Sequence, residues 1–138
     1  RKGDTQLKPG GTIGTMKPTA NEVQIIKALP AEERMSYFMS RIIDNDEIWS
    51  ISDSTGWKLK TNAGSKLVEL WPHEDYIEQQ NENKTMTDLA SFSQQYLPFL
   101  ISANINVEIF PTKASEGKII SASDLKNMLE TEAGINEI

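Results

Sequence analysis

The sequence predicts an α+β domain: a mostly antiparallel sheet of four or five strands, built on a central three-strand meander, with helices packed on one face. Three observations carry this reading. Trp49, Trp57 and Trp71 fall in three short strand-like runs separated by turn residues. Apolar stripes at helical spacing stand before and after those runs. The chain has 138 residues and no cysteine, enough for one real core without disulfide or thiolate-metal staples.

Residues 1–18 hold Gly3, Pro9, Gly10, Gly11, Gly14 and Pro18 with almost no apolar periodicity, and read as a flexible lead-in. Met16 fits a natural start, which would make the first 15 residues a non-native remnant. A single α+β domain over 19–138 follows. Thr19-Ala20-Asn21-Glu22 has the form of a capping box and opens a short helix through Val23, Ile26 and Lys27. Pro30 opens a second helix, since a missing N–H costs nothing in the first turn. Its Met35, Phe38, Met39 and Ile42 form one apolar stripe, and Glu32 and Glu33 suit the positive end of the helix dipole.

The strands come next. Glu47–Ser52, Trp57–Thr61 and Lys66–Trp71 are joined by Asp53-Ser54-Thr55-Gly56 and Asn62-Ala63-Gly64-Ser65, turns short enough to force antiparallel neighbours. Lys58 and Lys60 alternate with Trp57, Leu59 and Thr61, implying one wet face. Pro72 stops the third strand because it has no donor for a ladder. Glu74–Gln80 reads as a short helix and 81–84 as a polar loop. Thr87 or Asp88 caps a helix carrying Leu89, Phe92, Tyr96 and Phe99, which Pro98 should kink or end. Asn104–Phe110 and Lys118–Ser121 are the fourth and fifth strands. Ser123 caps a last helix through Leu125, Met128 and Leu129, with Gly134 beyond its end.

Net charge is −6 at pH 7, unevenly spread. Arg1, Lys2, Lys8 and Lys17 against Asp4 give residues 1–18 a charge of +3, which leaves −9 for the rest. An acidic body repels a phosphate backbone and argues against nucleic acid as a partner. It suits a basic protein partner, or simply solubility. No apolar run approaches the roughly 20 residues of a membrane helix, and no secretory signal is visible, so the expectation is a cytoplasmic protein off the membrane. The absence of cysteine suits a reducing compartment.

Several segments together resemble one family. They are Leu29 to Phe38, Glu47-Ile48-Trp49-Ser50-Ile51 with Gly56-Trp57, and Leu70-Trp71-Pro72-His73 with Tyr76. Tyr96-Leu97-Pro98, Val107 to Pro111, Gly117-Lys118 and Ser123-Asp124-Leu125 complete the set. Over roughly residues 29–130 the chain resembles the bacterial domain of unknown function 2750. The resemblance implies a small bacterial α+β domain, often encoded alone, of a kind expected in accessory or mobile gene sets. It implies no known activity, cofactor or catalytic residue.

The residue types themselves offer few chemical sites. His73 is the only histidine. Next to Glu74 and Asp75 it has the makings of a general acid or base. The plainer role is closing the strand–helix corner by hydrogen bonding, because no nucleophile or orienting partner accompanies it. One histidine and no cysteine make zinc improbable. Asp44-Asn45-Asp46-Glu47 lacks the glycine and distal Glu of a calcium loop and reads as a helix end. Gly10-Gly11-Thr12-Ile13-Gly14 lacks the Gly-Lys-Ser/Thr ending of a phosphate loop. No Gly-x-Ser-x-Gly elbow exists, and no cofactor is implied.

The candidate binding surface is therefore Trp49, Trp57, Trp71, His73 and Tyr76. Tryptophan concentrates at interface hot spots because it buries much area and keeps a polar handle; its plainer role is core beneath the helices. The leading expectation is a non-catalytic protein-binding or adaptor domain, with an immunity-like role as its sharper form and a basic protein as partner. The alternative is a small-ligand binder or enzyme with a pocket at Trp71, His73 and Tyr76. A homodimer through an edge strand is a further expectation.

Overall fold

The computed structural model describes residues 17–133, so Gly134 and residues 1–15 lie outside the described residues. Thr19 is extended, and its hydroxyl accepts the Glu22 amide at 3.0 Å to start α1 (Ala20–Lys27). The Glu22 carboxylate is taken by the Tyr37 hydroxyl at 2.6 Å, which ties α1 to the next helix. That helix, α2 (Ala31–Asn45), follows Pro30 and buries Met35, Phe38, Met39 and Ile42 as one stripe. Asp46 ends it in the left-handed region (φ 59°), returning its N–H to the Ile42 carbonyl. Its side chain accepts the Leu89 amide at 2.9 Å, so the acidic run 44–47 is a helix end that also starts another helix.

The fold is α+β and mostly antiparallel. Among the described residues seven strands form two sheets: β1 (Ile48–Asp53), β2 (Gly56–Trp57), β3 (Leu59–Asn62), β4 (Ser65–Leu70), β5 (Asn83–Thr87), β6 (Asn106–Ile109) and β7 (Lys118–Ile120). Their orders are β2-β1-β5 and β3-β4-β6-β7, with β4–β6 the one parallel pair among the described residues. The expected meander is thus divided between sheets, and the run 56–62 is where it divides. The Lys58 amide still bonds the Ile51 carbonyl at 2.7 Å, whereas Leu59 pairs with Val68. The sheets stay joined where Trp49 and Trp71 exchange two backbone hydrogen bonds of 2.9 Å, and the Ser50 hydroxyl donates to the Glu69 carbonyl at 2.7 Å beside them.

Residues 83–87 form a strand where the sequence predicts none, its polar loop over 81–84 giving way to pairing from Asn83 on. β5 pairs with β1 along its whole length, from Ile48↔Thr87 to Ser52↔Asn83. It is an edge strand with only Thr87 buried, so its residues carry little apolar alternation and the pairing itself makes it a strand. The expected helix over 74–80 shortens to a 3₁₀ turn, Glu74–Tyr76, after which Ile77 is extended and buried.

Asp88 caps the next helical segment, accepting the Ser91 amide. The segment runs through α3 (Leu89–Ser91), a π turn at Phe92–Tyr96, and α4 (Leu97–Ser102). Pro98 explains the π turn. An α-helix would press its ring on the Gln94 carbonyl, and the wider i→i+5 bond from the Leu97 amide to the Phe92 carbonyl makes room. α5 (Ala122–Ala133) is capped by Ser121, not Ser123: the Ser121 hydroxyl accepts the Asp124 amide at 3.0 Å. Burial of Ala122, Leu125 and Leu129 sets that start. The core joins the α2 stripe to Ile48, Ile51, Val68, Leu70, Val107 and Ile109 from the strands, and to Phe92, Leu97, Leu100 and the α5 leucines.

Candidate functional site

Trp57 ends β2, and its indole lies against Tyr96 from the π turn, with ring centroids 4.3 Å apart and planes 6° from parallel. Phe92 backs the pair at 6.0 Å from Trp57. Beside the stack is a groove of about 560 Å³, walled by Asp53, Thr55 and Gly56 of the first turn, Trp57, Leu59, and Gln95, Tyr96, Phe99 and Leu100. Phe99 is 59% exposed and Leu59 38% exposed. The π turn places Phe99 there. One extra residue in the turn rotates it about 100° off the stripe it would share with Leu89 and Phe92, and Leu100 takes the buried position.

Asp53 is the groove's one carboxylate. It accepts the Thr55 hydroxyl at 2.7 Å and the Thr55 amide at 2.9 Å, which hold its pKa below the usual carboxylate value. The site therefore combines an apolar aromatic trough with a fixed negative charge in its wall.

The other four residues of the expected surface lie elsewhere. Trp71 is fully buried and donates its indole N–H to the Pro111 carbonyl at 3.0 Å. Tyr76 is fully buried, with its hydroxyl 2.8 Å from that of Tyr37. Burial raises the pKa of both tyrosines, and for Tyr37 the Glu22 carboxylate adds to the effect. His73 is buried too, and its Nδ1 accepts the Asp75 amide at 3.0 Å, capping the 3₁₀ turn. Trp49 is half-buried, 6.2 Å from the His73 ring, and donates its indole N–H to Glu47 at 2.8 Å. Trp49, Trp71 and His73 thus gather at the junction of the two sheets, Tyr76 packs against Tyr37 and Phe110, and Trp57 alone of the five lines the groove.

A second constellation escaped the sequence reading: the charges that hold the loop 110–117. Arg34, on α2, is 1% exposed. Its Nε donates to the Phe110 carbonyl at 3.0 Å, and its Nη2 donates to the Glu116 carbonyl at 2.7 Å. Phe110 itself sits at φ 58°, a strained setting for an aromatic residue. The buried Glu108 accepts the Gly117 amide at 2.8 Å, and Lys60 lies 2.6 Å from its other oxygen as an ion pair rather than an aligned hydrogen bond. Burial lowers the Arg34 pKa while Glu108 works against it. The clue in the sequence was Arg34 itself, one residue before the apolar stripe of α2, yet nothing nearby named its distant acceptors.

Among the described residues, no helix is long and apolar enough to cross a membrane. No curated protein matches the chain. The model of one family, described as protein of unknown function (DUF2750), matches residues 35–129, from the α2 stripe to Leu129 of α5. With more than half its length matched, the chain belongs to that family.

Proposed function

We propose that this chain is a non-catalytic protein-binding domain whose aromatic groove receives an apolar, basic segment of a partner protein. The observation that carries the reading is the Trp57–Tyr96 stack beside the exposed Phe99, an aromatic trough with Asp53 in its wall. Aromatic anchors supply most of the energy at protein interfaces, and exposed apolar clusters mark such sites. The net charge of −6 favours a basic partner by steering encounter. Neutralisation of a basic protein by a small bacterial accessory factor, in the manner of an immunity protein, is the sharper form of this reading. A cytoplasmic setting fits the cysteine-free composition.

The alternative pocket at Trp71, His73 and Tyr76 has less support, since Trp71 and Tyr76 spend their polar atoms inside the protein. The test is affinity capture followed by reconstitution with the purified partner. Binding that is weakened at least tenfold by Phe99→Asp and falls with added salt supports the reading. A basic partner whose affinity ignores both Phe99→Asp and Trp57→Ala sinks it.

A further inference from the structure

The run 56–62 does more than wall the groove. Among the described residues it is an edge for both sheets: β2 stands at one end of β2-β1-β5 and β3 at one end of β3-β4-β6-β7. The register says which of its backbone groups face outward. The Ala63-Gly64 turn, with φ 55° and 83°, is a two-residue hairpin loop closed by the pair Asn62↔Ser65. A pair that closes such a loop exchanges both hydrogen bonds, and the pattern then alternates along the ladder. Asn62 and Lys60 therefore point their N–H and C=O groups inward to β4. Thr61 and Leu59 point theirs outward. At Lys58 the chain turns inward again, to the Ile51 carbonyl at 2.7 Å, which leaves Trp57 outward.

Among the described residues, outward backbone groups thus recur at Trp57, Leu59 and Thr61 with no strand paired to them, where the chain passes from one sheet to the other. Trp57 and Leu59 are also the two residues of this run that line the groove beyond its turn. Leu59, Lys60 and Thr61 of β3 are exposed, so among the described residues the edge is uncovered. The lysines that guard edge strands elsewhere are occupied here: Lys58 pairs with Glu82 at 2.7 Å, and Lys60 with Glu69 at 2.9 Å.

From this we infer that the partner segment binds as an added β-strand along Trp57–Thr61, with alternate apolar side chains entering the aromatic groove and a basic side chain meeting Asp53. The inference rests on the groove being the binding site. Main-chain pairing supplies affinity in this mode and the groove supplies selectivity. A second copy of the chain is the poorer occupant. A four-residue strand buries far less than the roughly 1,200 Å² of a stable interface, and both molecules carry −6.

The experiment uses displayed octapeptides in which Lys or Arg alternates with Val, Ile, Leu or Phe, selected on the full chain. The best binder is then resynthesised with N-methyl groups on alternate amides, in both phases. One phase should weaken binding about tenfold or more, as loss of two ladder bonds requires, and the other should not. Thr61→Pro, which removes an outward N–H that an edge strand can spare, should weaken binding similarly while the Phe99→Asp loss persists. Loss on Phe99→Asp with no phase dependence on methylation and no effect of Thr61→Pro overturns strand addition but leaves the groove. Absence of any binder that depends on Phe99 overturns both. Concentration-dependent dimerisation abolished by Thr61→Pro would put a second copy on the edge and overturn the inference.

Discussion

Trp57 and Tyr96 lie face to face, 4.3 Å between ring centroids, and so tie an edge strand to the π turn of a helix. Tyr96 is half-buried and supports the groove from beneath, while Phe99 only lines it. Tyr96→Ala should cost about 1–3 kcal/mol, combining lost burial with the lost stack. Phe99→Ser should cost no more than about 0.5 kcal/mol, being a surface change. Urea unfolding of the two variants measures the contrast; equal costs would mean that the groove is part of the core.

Gly117 is required by space rather than by φ. A Cβ at this position would stand 2.3 Å from the Ile109 carbonyl oxygen. Gly117→Ala should therefore destabilise by about 2–4 kcal/mol, because backbone must move to relieve the overlap. Thermal or chemical denaturation decides it. A loss below about 0.5 kcal/mol would show the loop to be freely adjustable.

Arg34 should be replaceable by neither lysine nor alanine. Its planar fork reaches the carbonyls of Phe110 and Glu116 at once, which an ammonium cannot do. Arg34→Ala leaves those acceptors and Glu108 without their buried cation, at about 3–5 kcal/mol. Arg34→Lys should recover less than half of that. Full recovery by lysine would mean that charge alone matters there.

Glu78 gives the fold a defined acid sensitivity. Burial pushes its pKa up, but Lys27 at 2.6 Å and the Lys113 amide at 2.6 Å outweigh that, and the carboxyl ends below its ordinary value of 4.5. A depressed folded pKa contributes stability above the unfolded value and loses it as pH falls through the folded one. The stability gap between the wild type and Glu78→Gln, about 1–2 kcal/mol at pH 7, should thus close below about pH 4.5. A gap unchanged down to pH 3 would count against the pair.

His73 should hold its proton on Nε2, because Nδ1 accepts the Asp75 amide. Nitrogen-15 shifts of the imidazole read the tautomer directly. His73→Ala should cost about 1 kcal/mol as a lost cap, and His73→Asn should restore most of it. A proton on Nδ1 would contradict the cap.

Local rules carried the sequence reading a long way. The Thr19 cap, the α2 stripe and the turns at 53–56 and 62–65 depend on neighbours within a few residues, and these signals were legible. What escaped depends on distant partners. β5 exists because β1 accepts it, and the division of the meander depends on where β4 lies. The groove was half legible: Trp57 stood out as an aromatic, but Phe99 reached the surface only through the π turn that Pro98 imposes. Trp71 and Tyr76, equally conspicuous as letters, went to the interior because flanking strands and helices closed over them.

The reach of Arg34 also sets an order of events during synthesis. Its acceptors at Phe110 and Glu116 are made 76 and 82 residues after it. At about 5–20 residues per second the ribosome needs roughly 4–15 s to supply the first of them. Throughout that interval a guanidinium destined for the interior must stay in water, and α2 cannot fully bury the face that carries it. Completion of this part of the fold is thereby tied to the emergence of the loop 110–117, and a chain released before it would leave Arg34 without the carbonyls of Phe110 and Glu116.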